Sequence, residues 1–115
     1  MNKYIEYLED TIKELQKEEE ALILASRKDE ANFVKIKINI CDISKTIYNA
    51  SAKTNTGDAL EAEYLRQLTK LPENWRISLD KAREHGDIQK SVIEEIKLEM
   101  LQTIKTKFEE LGACE

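Results

Sequence analysis

The chain has 115 residues, 36% of them charged and 41% hydrophobic, and a formal net charge of −5 at pH 7. Both signs of charge are interspersed along it, so no basic face is available to neutralise phosphates, and we expect neither nucleic acid nor a membrane surface as a partner. The first ten residues carry charges where a signal peptide would be apolar, and no apolar run approaches the ~20 residues of a membrane span. These features predict a cytoplasmic protein.

The scarcity of turn-forming residues favours helices. Only three glycines and one proline occur, which leaves few places for hairpins between strands. A chain of this length can build one core without a metal or a disulfide. We therefore expect a single all-α domain over residues 1–115, folded as an antiparallel helical bundle with three long helices and two short helices. The predicted helices span residues 2–25, 27–51, 58–71, 72–85 and 88–111.

The first predicted helix has one narrow apolar stripe, and the rest of its surface is highly charged. That combination is typical of helices that pair with a partner helix, so the stripe is our candidate self-association surface. Its residues are Ile5, Leu8, Ile12, Leu15 and Leu22. Trp75, which follows the single proline, is a further candidate interface anchor.

A second apolar stripe begins at Phe33 and continues at helical spacing to Ala50. Its positions and those of the first stripe are equidistant from a turn near Arg27, which predicts an antiparallel hairpin that pairs Leu22 with Phe33. One continuous helix over residues 2–52, paired with a second copy of the chain, has the same symmetry. Both interpretations stand at this point, because no glycine or proline marks the turn.

The second predicted helix begins at a candidate capping box, Ser26 followed three residues later by Asp29. Residues 34–40 alternate like a strand, but the helical spacing continues beyond them and no second strand-like segment exists, so we expect a helix. Further apolar residues lie off its main stripe: Val34, Ile38, Cys41 and Tyr48. This helix is therefore predicted to be covered on more than one side, at the centre of the bundle.

The remaining predicted helices are separated by recognisable end signals. A polar loop over residues 51–58 precedes the third helix. Pro72 stops that helix and suits the first turn of the fourth, where its missing N–H costs nothing. Gly86 is predicted to end the fourth helix after His85, and Asp87 is predicted to cap the fifth.

Residues that could carry chemistry are few and scattered. We expect His85, the single histidine, to stabilise a helix C-terminus and Cys41 to be a small buried hydrophobe. Cys114 is interpreted as an incidental thiol near the C-terminus. The three glycines cannot form a phosphate-binding loop, and no metal-ligand spacing occurs. We therefore expect no catalytic residue, no cofactor and no metal.

Two functional hypotheses follow. The first is a non-enzymatic interaction protein or small adaptor that binds a protein partner and self-associates as a homodimer through its amphipathic helices. The alternative is a helical bundle that binds a small molecule, or acts as an enzyme, through an internal cavity. In that case polar side chains have to converge, and the candidates are Asn39, Glu19, His85 and Cys41.

Overall fold

The computed structural model describes residues 2–112, which form five α-helices and no strand. The helices are α1 (Lys3–Leu24), α2 (Lys28–Ala52), α3 (Gly57–Lys70), α4 (Glu73–Glu84) and α5 (Ile88–Leu111). The all-α class is confirmed, and every helix end lies within one residue of its predicted position. Residues 113–115, which include Cys114, lie outside the described residues.

The two short helices meet end to end as one bent pair. Leu71 and Pro72, which separate α3 from α4, both keep right-handed helical backbone angles, so the chain bends there without reversing. The break occurs because Pro72 has no N–H to donate to the carbonyl four residues earlier. The bundle therefore has four helical arms: α1, α2, the α3–α4 pair and α5.

The same turn geometry reverses the chain after α1 and after α4. In the first turn Arg27 N donates to Leu22 O at 2.8 Å and Ser26 N donates to Ile23 O at 3.0 Å. These two bonds define a Schellman motif, whose penultimate residue takes a left-handed conformation. Ser26 has that conformation, with φ 62°. Residues 2–52 thus form a hairpin and not one continuous helix.

Gly86 occupies the matching position in the second turn, with φ 68°. Asp87 N donates to Ala82 O at 2.8 Å there, and the Asp87 carboxylate accepts from Lys90 N at 3.1 Å, which confirms the predicted end of α4 and cap of α5. The capping box predicted for α2 is wrong. Ser26 ends α1 instead, and the α2 N-cap position is Arg27, which makes no side-chain capping bond.

Helix α2 lies at the centre, where it packs against α1, α3 and α5. It runs parallel to α5. Residues near the start of both helices line one groove, and near their ends the ring centroids of Tyr48 and Phe108 are 6.3 Å apart. The two Schellman turns therefore lie at the same end of the bundle. We call that end the turn end, and the opposite end the aromatic end.

The apolar stripe of α2 faces a different neighbour from the one expected. Phe33 and Ile36 line a groove with residues of α5, whereas Ala31 and Lys35, on the opposite side of α2, line a groove with α1. The hairpin and its register are supported by an ion pair of 3.0 Å between Glu9 and Lys45. The predicted pairing of Leu22 with Phe33 is not supported. Equal distance from a turn determines how far along its helix each residue lies, but it does not determine the rotation of the helix about its own axis.

The hydrophobic core is concentrated towards the aromatic end, where all four arms meet. It is built largely from residues that are almost completely buried. They are Tyr4, Leu8, Ile40, Cys41, Tyr48, Leu60, Tyr64, Leu68, Leu101, Ile104 and Phe108. The off-stripe residues predicted to cover a second side of α2 are buried as expected: Val34, Ile38, Cys41 and Tyr48.

Candidate functional site

A hydrogen-bonded set of tyrosines fills the centre of the aromatic end. The Tyr4 and Tyr64 hydroxyls are 2.5 Å apart, and Tyr64 donates to the Ser44 carbonyl oxygen at 2.9 Å. A phenol has one proton to donate, so Tyr4 donates to Tyr64 and Tyr64 donates onward to Ser44. Phe108 packs edge-on against both rings, with centroids 4.8 Å from each.

These phenols are structural. Burial is the main cause that raises the pKa of Tyr4 far above its usual range, and the neighbouring Tyr64 hydroxyl is the second. Burial likewise raises the pKa of Tyr64, although its hydrogen bonds with Tyr4 and Ser44 lower it in part. Both hydroxyls therefore stay protonated at neutral pH, and both are sealed from solvent. Sequence spacing did not indicate that Tyr4, in the first turn of α1, would be completely buried.

The four polar residues of the cavity hypothesis are not brought together. Cys41 is completely buried, and burial raises the pKa of its thiol to about 12. His85 is exposed at the end of α4, where its Nδ1 donates to the Lys81 carbonyl at 2.7 Å, and Asn39 is exposed on α2. Glu19 lines the groove between α1 and α2 without any of the other three.

The candidate interface residues of α1 and Trp75 of α4 are used mainly within the chain. Leu8 is completely buried in the core. Four others are partly buried against that core: Ile5, Ile12, Leu15 and Trp75. Leu22 is partly buried near the turn. The stripe therefore contributes to the packing of one chain and leaves little of its surface for a partner.

Large apolar side chains are exposed instead at the turn end. Leu24, the last residue of α1, is 87% exposed, and Ile88, the first residue of α5, is 78% exposed. Ile23 is 49% exposed beside Leu24. Burying such side chains on binding contributes roughly 1.5–3 kcal/mol each. The sequence signal for this surface was the presence of apolar residues directly beside the predicted turns, where polar residues are usual.

Two grooves open beside the first half of α2. The α1–α2 groove, with a volume of about 260 Å³, is lined by Glu19, Ile23, Lys28, Ala31, Asn32 and Lys35. The α2–α5 groove, of about 400 Å³, is lined by Asp29, Asn32, Phe33, Ile36, Gln89 and Ile93. Asn32 lies between the two grooves. They are shallow surfaces on which side chains of a partner protein could pack.

A buried carboxylate interrupts the apolar face of α5. Glu94 lies seven residues before Leu101 on that face, and it is only 5% exposed. Its Oε1 accepts from Lys97 Nζ at 3.2 Å, and the Lys97 ammonium lies 5.7 Å from the centre of the Trp75 ring. The other oxygen, Oε2, has no hydrogen-bond partner within residues 2–112. An unpaired buried oxygen destabilises the fold, so Glu94 lowers the stability of the bundle.

Comparisons with protein-family models, with curated proteins and with solved structures find no match to this chain. Within residues 2–112, no group of three or more His, Cys, Asp or Glu side chains is placed to hold a metal ion. No helix in the same range has the length and apolar character needed to cross a bilayer.

Proposed function

We propose that this chain is a non-enzymatic protein-interaction module whose binding surface is the turn end of the bundle. The observation that carries the proposal is the exposure of large apolar side chains at one end of the bundle. Of the five large apolar side chains exposed within residues 2–112, Ile23, Leu24 and Ile88 belong to this end. Exposed apolar surface concentrated in one region is a feature of binding sites, whereas single exposed residues are ordinary.

The distribution of packing supports the same assignment. The aromatic end holds the hydrogen-bonded tyrosines and most of the completely buried side chains, and it maintains the fold. At the turn end, α1 packs on α2 and α4 packs on α5, which leaves grooves on either side of α2. A rigid scaffold at one end and accessible apolar helix ends at the other are suited to binding a protein partner.

Site-specific photo-crosslinking in cells that naturally make the protein tests the proposal. A photoreactive residue replaces Leu24 or Ile88 in turn, and Ile77 provides the matched control, because it is 53% exposed on α4 away from the turns. We expect discrete protein adducts from the two turn-end positions and none from position 77. Adducts from none of the three positions, or equal adducts from all three, would refute the assignment of the binding surface.

A further inference from the structure

The α1–α2 groove carries opposite charges on its two walls. Glu19 belongs to the α1 wall, and Lys28 and Lys35 belong to the α2 wall. Lys28 and Lys35 are exposed, and Glu19 is partly buried. None of these three side chains forms an ion pair with another residue in the described part of the chain. The groove thus holds one acid and two bases that have no charged partner.

The floor and rim of the same groove are apolar. Ala31, 4% exposed, forms part of the floor, and Ile23, 49% exposed, lies on the α1 side at the same height along the hairpin. Leu24 projects beside Ile23 at the tip. A partner that fits this groove has to offer a small apolar contact flanked by a base on one side and an acid on the other.

We infer that the partner is a second copy of this chain, docked groove to groove about a two-fold axis that runs along the groove. A two-fold axis in that direction places the α1 wall of each copy across the α2 wall of the other. Rotation about this axis leaves each residue at its own height along the helices, so Glu19 of one copy faces Lys35 of its partner, twice by symmetry. Ile23 of each copy packs at the same time against the floor of the opposite groove.

The charge pattern selects this arrangement among the symmetric ones. A two-fold axis perpendicular to the helices would place the acidic wall of α1 on the acidic wall of its partner, and juxtaposed like charges oppose association. The α2–α5 groove offers no comparable pattern, because Asp29 is its only charged lining residue. This inference rests on the proposed function, since it names the partner that the α1–α2 side of the turn end binds.

Sedimentation equilibrium of the intact chain tests the inference by charge reversal. The wild type is expected to form a particle of twice the 13.3 kDa chain mass, and the association should weaken as salt is raised. Lys35→Glu and Glu19→Lys should each weaken self-association by about tenfold or more, because each places like charges opposite one another at two symmetric positions. An equimolar mixture of the two variants should recover the lost affinity, because the altered residues then face each other with opposite signs.

Two controls keep the result interpretable. Lys53→Glu reverses an exposed lysine at the far end of α2 and should leave the dissociation constant unchanged. Ile23→Gln removes the apolar contact without altering the charge of the chain and should also dissociate the dimer. Circular dichroism of the helices shows whether each variant is folded. A wild-type monomer at the highest attainable concentration would overturn the inference. A dimer insensitive to both reversals, or one that the mixture does not restore, would overturn it as well.

The proposed function can survive if this inference fails. A monomeric chain that still gives a crosslinked adduct with another protein through Leu24 keeps the turn end as a binding surface and removes the second copy as its partner. A chain that gives no adduct and does not self-associate loses both proposals. The two experiments therefore separate the two statements.

Discussion

Removing the Tyr64 hydroxyl tests the direction of the buried hydrogen-bond chain. In Tyr64→Phe the Ser44 carbonyl keeps its helical bond from the amide four residues later, so its loss is small. The Tyr4 hydroxyl, in contrast, is left buried without an acceptor, because Tyr64 is its hydrogen-bond partner. One lost hydrogen bond contributes about 1 kcal/mol and one orphaned buried hydroxyl about 1–3 kcal/mol, so we expect a loss of roughly 2–4 kcal/mol.

Tyr4→Phe is the matched comparison, because it removes the donor and leaves Tyr64 bonded to Ser44. We expect that variant to lose only about 1 kcal/mol. The double variant removes the orphaned group together with its partner, so it should cost less than the sum of the two single losses. Urea unfolding followed by circular dichroism gives the free energies, provided that the urea dependence of unfolding is unchanged among the variants. A loss in Tyr4→Phe equal to or larger than that in Tyr64→Phe would contradict the donor assignment.

Three further predictions concern stability and reactivity. Ser26→Gly should raise the unfolding free energy by about 1 kcal/mol and Gly86→Ala should lower it by a similar amount, because both positions need a left-handed backbone that glycine adopts without strain. Glu94→Leu should stabilise the fold by about 1–2 kcal/mol in thermal unfolding, because an apolar side chain then replaces a buried carboxylate whose Oε2 is unpaired. A loss of stability would show that Glu94 has a compensating partner. In a Cys114→Ser chain, Cys41 should resist alkylation at pH 8 until urea unfolds the protein. Burial raises the pKa of the Cys41 thiol from 9.0 to about 12, so the stability that the buried neutral thiol contributes should be complete below pH 9 and be lost as the pH rises towards 12. Rapid alkylation of Cys41 in the folded chain would contradict its burial.

Local signals in the sequence predicted the helices and most of their ends. Pro72, Gly86 and Asp87 act through the backbone of their own turn, so their roles follow from residue type and position without knowledge of the rest of the fold. The central position of α2 was also predictable, because Val34 and Cys41 lie off its main apolar stripe and require a second neighbour. The turn after α1 was harder to locate, because Ser26 occupies a position that glycine usually fills.

The rotation of α2 and the position of the binding surface could not be predicted in the same way. Apolar spacing shows which side of a helix is covered, but it does not show which helix covers it, and Phe33 faces α5 rather than α1. For the same reason, the α1 stripe resembled a dimer interface although Leu8 is completely buried within the chain. The exposure of Leu24 and Ile88 depends on how far neighbouring helices extend past them, which is a property of the assembled bundle.

The most direct test of the account is an isotope-filtered methyl NMR measurement on the intact chain, with labelled and unlabelled copies mixed. We propose that the turn end binds a second copy, so intermolecular nuclear Overhauser effects should connect the Ile23 methyl groups of one copy with Ala31 of the other. The methyl groups of Ile77, which is also exposed, should show none. Intermolecular effects at Ile77 in place of Ile23, or their absence from every methyl group at concentrations where the chain is dimeric, would contradict the account.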